Sequence, residues 1–405
     1  MPRKGGKGKG GKGKGRRPGG RKPGGQKFRV DIRRNKQTRT RDQNVTHELL
    51  NDEVAAEDAR KDERFRGKDT RSRKRTVVGI ETDGDQILRA IDDQECVPGR
   101  VTSFVGLNCQ VQSEVDGQTY ECTIRGILRT LARDARNVVV TGDRVLFRQE
   151  GDDYQGVIER VEPRRGILSR NSHGREHILV SNIDQVLIVA SAADPELKPN
   201  LIDRFLIMAE RHEIGAVVCI NKCDLVEPVW LQQFASVYGH LGYPVVLTSI
   251  VDGSGIDQLR SCLRGQQTAV SGQSGVGKSS LLNAVDGNLQ LDTADVSDSN
   301  SKGRHTTRRA RLLPLQEGGW VADTPGIRQF ELWDIQMEEI DGYFIEFRPF
   351  VPYCRFPDCS HTHEQDCGVR DAVAVNLINR YRYESYLRLR QEDTFLWRTS
   401  ARGQG

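Results

Sequence analysis

The sequence predicts three folded regions in series: a small all-β barrel, an α/β core built on a parallel sheet, and a compact helical end organised by a metal ion. Three observations carry that prediction. Short alternating apolar runs separated by turn signals fill residues 98–170, and strand and helix patterns alternate through 181–331 around a glycine-rich loop. Three Cys and two His residues then fall within 14 positions, inside 335–395. A chain of 405 residues is long enough for two to three such domains with sizeable cores.

The first element is a basic arm. Residues 1–41 hold 17 Lys or Arg against the single Asp31, so this stretch carries +16 and the remainder −11 of the overall +5. Residues 1–75 contain few apolar side chains and many Lys-Gly repeats, so the arm is expected to be disordered, with one helix between His47 and Arg60. Closely spaced cations on a flexible backbone suit a polyanion, bound with strong salt dependence and little sequence preference. A solvated tail without a partner is the plainer alternative. No run approaches 18 apolar residues, so no membrane span is expected. The charged start from Arg3 onward does not read as a secretory signal, and nine scattered cysteines do not resemble a disulfide framework. A reducing cytoplasm fits that usage.

Between 98 and 170 the runs Arg100–Val105, Cys109–Ser113, Gln118–Ile124, Asn137–Val140, Asp143–Gln149 and Gln155–Val161 alternate with turn signals such as Val115-Asp116-Gly117 and Thr141-Gly142-Asp143. About five short strands of this kind suit a barrel of the OB type. Arg125, Arg129, Arg133 and Arg136 would give it a basic, RNA-binding face; a scaffolding barrel is the alternative.

The third element alternates strand and helix: Ile183–Ala190, Asn200–Arg211, Ala216–Ile220, Val229–Leu241, Pro244–Thr248 and Ile256–Leu263. Alternation of this kind gives a parallel sheet with ligand loops at the strands' carboxyl ends. Three motifs lie at such ends. Gly272-Gln273-Ser274-Gly275-Val276-Gly277-Lys278-Ser279-Ser280 reads as a phosphate-binding loop: glycines let backbone N–H groups close around an anion, Lys278 reaches the β- and γ-phosphates, and the Ser279 hydroxyl meets Mg²⁺. Asn221-Lys222-Cys223-Asp224 places a carboxylate where it can accept from guanine N1 and N2, an edge at which adenine has no such donors. Asp323-Thr324-Pro325-Gly326 brings a carboxylate toward Mg²⁺ and a glycine N–H toward the γ-phosphate. Thr248-Ser249-Ile250 stands where a loop would back the guanine.

These are the parts of a GTPase in a permuted order, since the guanine motif precedes the phosphate loop. The polar stretch Ser297–Arg309, with Gly303-Arg304-His305-Thr306-Thr307, is the expected γ-phosphate switch. Thr307 is expected to complete the Mg²⁺ shell, with Thr306 as the alternative.

The last element is Cys354-x4-Cys359-x-His361-x5-Cys367. Three thiolates and an imidazole satisfy tetrahedral Zn²⁺ and leave no position open, so a single structural ion is expected. His363 could replace His361. Helices are expected from Ile340 and from Arg370 to Glu392.

With these motifs in this order, the sequence resembles the RsgA family of circularly permuted GTPases over about residues 98–392. The resemblance implies an OB barrel, a permuted GTPase core and a zinc domain acting in late maturation of the small ribosomal subunit, with rRNA contacts, subunit-stimulated hydrolysis and a monomeric state. The basic arm is no part of that pattern. After Asp-x-x-Gly, where many GTPases carry a water-orienting Gln, this chain has Ile327. His305 is then the expected catalytic side chain, as the resemblance also suggests. Two other readings are a permuted GTPase of the large subunit, disfavoured by the barrel and the Cys-His cluster, and a non-enzymatic RNA-binding protein, disfavoured by intact Lys278, Ser279, Asp224 and Asp323.

Overall fold

The computed structural model describes residues 26–32, 73–81, 87–89, 95–105, 108–126, 128, 138–151, 153–172, 175–292, 310–323 and 339–402. The chain divides into two compact units, 1–94 and 95–405.

In the first unit, β1 (Gln26–Ile32) pairs antiparallel with β2 (Arg73–Glu81), Gln26 opposite Gly79 and Ile32 opposite Arg73, and β3 (Ile87–Arg89) extends the sheet. Residues 26–32 and 73–75 fall within the stretch expected to be disordered, so that expectation is corrected there. The reason is legible in hindsight: Phe28, Val30 and Ile32 alternate with Lys27, Arg29 and Asp31, the period of a strand. The helix expected between His47 and Arg60 lies outside the described residues.

The second unit opens with a closed barrel. Its strands are β4 (Val97–Val105), β5 (Asn108–Ser113), β6 (Thr119–Ile124), β7 (Arg144–Glu150) and β8 (Gln155–Val161), in the order β4-β5-β6-β8-β7. β6 and β8 run parallel and the other pairs antiparallel. Alternate residues turn inward, and Val101, Cys109, Val111, Cys122, Phe147 and Ile158 fill the interior. Val138–Val140, expected as a strand, are buried but irregular. They lead into a turn fixed by the fully buried Asp143 carboxylate, which accepts from Val140 N, Arg164 Nε and Ser181 Oγ at 2.8, 2.7 and 2.6 Å. A hairpin that the sequence pattern did not reveal, β9 (Leu168–Ser172) with β10 (Arg175–Val180), links the barrel to the core.

The core sheet has six strands: β11 (Gln185–Ser191), β12 (Gly215–Asn221), β13 (Val245–Leu247), β14 (Gln267–Gly272), β15 (Arg311–Pro314) and β16 (Trp320–Asp323). Their order is β13-β12-β11-β14-β16-β15, all parallel except β15. β11 shows why both faces are covered. Val186 and Ile188 pack with Ile202 and Phe205 of α1 (Pro199–Arg211) and Tyr238 of α2 (Pro228–Gly239). Leu187 and Val189 pack with Leu259 of α3 (Ile256–Leu263) and Leu281 of α4 (Lys278–Val285). Such two-sided burial is what a continuous apolar strand requires.

The chain ends in α5 (Ile340–Tyr343), α6 (Gly368–Ala374) and α7 (Arg380–Arg402). The helix expected from Arg370 to Glu392 is therefore two helices, broken where Asn376 adopts φ +59°. Phe344, Phe347, Val369 and Tyr386 share one apolar cluster with Ile207 of α1. Beside it the buried Arg382 guanidinium lies between Asp203 and Glu346, with Nε to Glu346 Oε1 at 2.6 Å and its carbon 4.5 Å from the Phe344 ring centroid. Burial would lower the Arg382 pKa, but the two carboxylates outweigh it and raise it.

Candidate functional site

The phosphate loop follows β14 and leads into α4, as its sequence requires. Gly272 has φ +140°, and a Cβ there would lie 2.1 Å from the Val189 carbonyl oxygen. Gly277 has φ +90°, and its Cβ would lie 2.7 Å from Asn221 Nδ2. Both positions admit only glycine. Lys278 Nζ donates to the carbonyls of Gly272 and Gln273 at 3.0 and 2.6 Å, folding the ammonium over the loop. Ser274 and Gly275 are exposed on the loop, while Gln273, Ser279 and Ser280 are half-buried and Val276 is buried against the α3–α4 face.

β12 delivers the second motif to the same edge. Asn221 is buried, and its Nδ2 donates to Val276 O at 2.9 Å, so the motif that precedes the loop in sequence is bonded directly to it in space. Asn221 Oδ1 accepts from Thr248 Oγ1 at 3.1 Å, and Cys223 N and Sγ both donate to Thr248 O, at 3.1 and 2.8 Å. Thr248 and Ser249 are fully buried, so they brace the pocket rather than line it with free hydroxyls. Lys222 adopts φ +59° and its ammonium donates to Asp194 O. Asp224 is exposed at the same edge. Burial pushes the Cys219 thiol beneath this loop up to about 12, which keeps it neutral.

Asp323, the last residue of β16, is exposed and pairs in register with Arg311 of the antiparallel β15. Asn221–Asp224, the loop Gly272–Ser280 and Asp323 therefore lie at the carboxyl ends of β12, β14 and β16, where an open parallel sheet binds its ligand. His305, Thr306, Thr307 and Gly326 lie outside the described residues.

The Cys-His cluster is assembled by the turns between α5 and α6. One ligand atom from each of Cys354, Cys359, His361 and Cys367 lies within 4.8 Å of the others. Cys354 Sγ to Cys367 Sγ is 3.9 Å, and His361 Nδ1 is 3.5 and 3.4 Å from those two sulfurs. A tetrahedral ion with Zn–S bonds of about 2.3 Å needs sulfur–sulfur edges of ~3.8 Å, so the donor set fits that ion. Among the described residues His361 Nε2 has no hydrogen-bond partner, and it lies 3.5 Å from Asp341 Oδ2, the carboxylate that would hold its ring once Nδ1 is committed to a metal. His363 is exposed and bonds Thr362 Oγ1, so the cluster uses His361. No sequence signal marks Asp341.

In the barrel, Arg125 pairs with the buried Glu159 and is 43% exposed, which leaves part of its guanidinium on the surface. Arg129, Arg133 and Arg136 lie outside the described residues.

The family model for the RsgA GTPase matches residues 161–333. A protein of Gemmatimonas aurantiaca named small ribosomal subunit biogenesis GTPase RsgA is 44% identical over 298 residues, covering 73% of this chain and 96% of that protein. Its namesake in Chlorobaculum parvum is 40% identical over 306 residues, covering 73% and 97%. Among solved structures, YjeQ from Thermotoga maritima matches with a TM-score of 0.62 and 36% identity, over 73% of this chain and 98% of that one. YloQ, described as a circularly permuted GTPase, matches with a TM-score of 0.60 and 29% identity, over 75% and 97%. With its strands, loops and metal-ligand types in the arrangement described above, the chain belongs to the RsgA GTPase family.

Proposed function

We propose that this protein hydrolyses GTP when it binds the small ribosomal subunit and acts there in late maturation, contacting rRNA. The observation that carries the reading is the bond from Asn221 to Val276 O, which joins the base-reading motif and the phosphate loop into one continuous site. Asp224 accepts from the guanine edge, Lys278 neutralises the β- and γ-phosphates, and the backbone of Gly272–Ser280 cradles them. Ser279 and Thr307 hold Mg²⁺, which would offset the charge that develops on the phosphates, and Asp323 and Gly326 read the γ-phosphate side. His305 orients the attacking water, a role that Ile327 cannot fill.

The barrel strand order supports an OB-type module, with Arg125 and its neighbours in sequence facing the RNA. Cys354, Cys359, His361 and Cys367 hold one structural zinc ion. A monomer in the cytoplasm suits this work. The +16 of residues 1–41 gives the protein a polycation, and it adds a salt-sensitive attraction to rRNA.

The decisive experiment is phosphate release from GTP with and without purified small subunits at two salt concentrations. We expect strong stimulation that fades with salt, and loss of turnover in Lys278→Ala. Stimulation by large subunits instead, or hydrolysis absent under every condition, would refute the reading.

A further inference from the structure

We infer that Thr141, a barrel residue, is a positioning residue for the subunit-stimulated part of hydrolysis: it relays the barrel's position to the backbone beside Asp323 and is not needed for the unstimulated rate. The inference rests on the subunit-stimulated reading above and adds to it a specific route from the barrel to the nucleotide site.

The Thr141 hydroxyl is buried and donates to the Ala310 carbonyl at 3.1 Å, across 169 residues of sequence. Ala310 immediately precedes β15, and the next residue, Arg311, pairs with Asp323 in the antiparallel register. One hydrogen bond and one strand pair therefore separate the barrel from the carboxylate at the nucleotide edge.

The barrel side of this contact is rigid. Thr141 lies in the turn that Asp143 clamps through Val140 N, Arg164 and Ser181. Thr141 O accepts from Ser181 N at 3.0 Å, and Gly142 N donates to Val101 O at 2.8 Å. Gly142 has φ +90°, and a Cβ there would lie 2.2 Å from Ser181 O, so only glycine fits where the turn packs against Ser181. A hydroxyl held on such a pedestal fixes whatever it bonds.

Neighbouring contacts point to the same strands. Arg100 of β4 bonds Gln267, the first residue of β14, and its guanidinium carbon lies 5.6 Å from the ring centroid of Trp320, the first residue of β16. β14 and β16 end in the phosphate loop and in Asp323. The Arg100 contacts thus fall on the amino ends of β14 and β16, whose carboxyl ends meet the nucleotide, while the Thr141 contact falls beside the carboxyl end of β16. Load applied to the barrel by a bound subunit is transmitted along them, because close-packed strands transmit strain and do not absorb it.

The test uses the full-length protein and three forms: wild type, Thr141→Val, which keeps the shape and removes the hydroxyl, and Thr141→Ser, which restores it. We expect the subunit-stimulated kcat of the valine form to fall about 5- to 10-fold, with KM for GTP and the unstimulated rate within about twofold, and the serine form to recover. Hydrogen exchange at 310–314 is measured alongside; the valine form should exchange faster there while the barrel strands keep their protection. A stimulated kcat unchanged in the valine form would overturn the inference alone. Equal loss of stimulated and unstimulated rates, or loss of barrel protection, would reduce Thr141 to a structural residue and also overturn it. A wild type that small subunits do not stimulate would overturn the functional reading and the inference together.

Discussion

The core sheet is flanked by two seams built on different physics. On the barrel side the contacts are polar and directional: Arg100 to Gln267, Thr141 to Ala310, and Asp143 shared by Arg164 and Ser181. The barrel's apolar cluster, among the described residues, is composed of barrel residues alone. On the C-terminal side an apolar cluster runs straight through the boundary, from Ile207 of α1 to Phe344, Phe347 and Tyr386, and the ion triad of Arg382 lies buried beside it. Burial of apolar area is non-directional and tolerates small shifts, whereas a hydrogen bond weakens steeply with misalignment. The C-terminal seam therefore holds, and the barrel seam registers position.

That contrast yields three measurements in order of expected effect. Stripping the ion proposed at Cys354, Cys359, His361 and Cys367 with a strong chelator should remove on the order of 5 kcal/mol or more from the C-terminal region, because metal binding there is also folding free energy. Circular dichroism and limited proteolysis of α6 and α7 would show it, and a chelated protein with unchanged protease resistance would mean that the apolar cluster suffices. Arg382→Met should cost about 3–5 kcal/mol in denaturant unfolding, since it leaves Asp203 and Glu346 buried without their cation. A loss below ~1 kcal/mol would show that the ion triad adds nothing to that seam. Asp143→Asn should cost less, about 1–3 kcal/mol, because Arg164 is 14% exposed and water can reach it. A larger loss than for Arg382→Met would invert the comparison and make the barrel seam the stronger one.

How much of this was legible in sequence depends on the range of the interaction. The strand from Gly215 to Asn221, the helix from Ile256 to Leu263 and the loop Gly272–Ser280 announce themselves through local periodicity and glycine spacing. The four Cys and His residues that could hold a metal ion lie within one short stretch and are visible for the same reason. Val138–Val140 misled, because their apolar run matches a strand while Asp143 draws the backbone into a turn. β1 was obscured by its charge: Lys27, Arg29 and Asp31 hide an alternation that Phe28, Val30 and Ile32 carry. β15 is only four residues long and follows a polar stretch, too short for a period to show. No local pattern links Arg382 to Asp203 across 179 residues, or Thr141 to Ala310 across 169. Such pairs are properties of topology, and a single sequence does not display them.

The strand order β13-β12-β11-β14-β16-β15 has a consequence for how the protein is made. As the chain leaves the ribosome, β11, β12 and β13 emerge first and can associate in that order. β11 then presents an open edge until β14 is synthesised, and it is among the most apolar strands of the protein. An unpaired apolar edge on a nascent chain is the feature that chaperones shield and that aggregation exploits. Permutation thus moves the most hazardous interval of synthesis to the stretch between residues 191 and 267, when the half that ends in Asn221–Asp224 is being made and the half that carries Gly272–Ser280 does not yet exist.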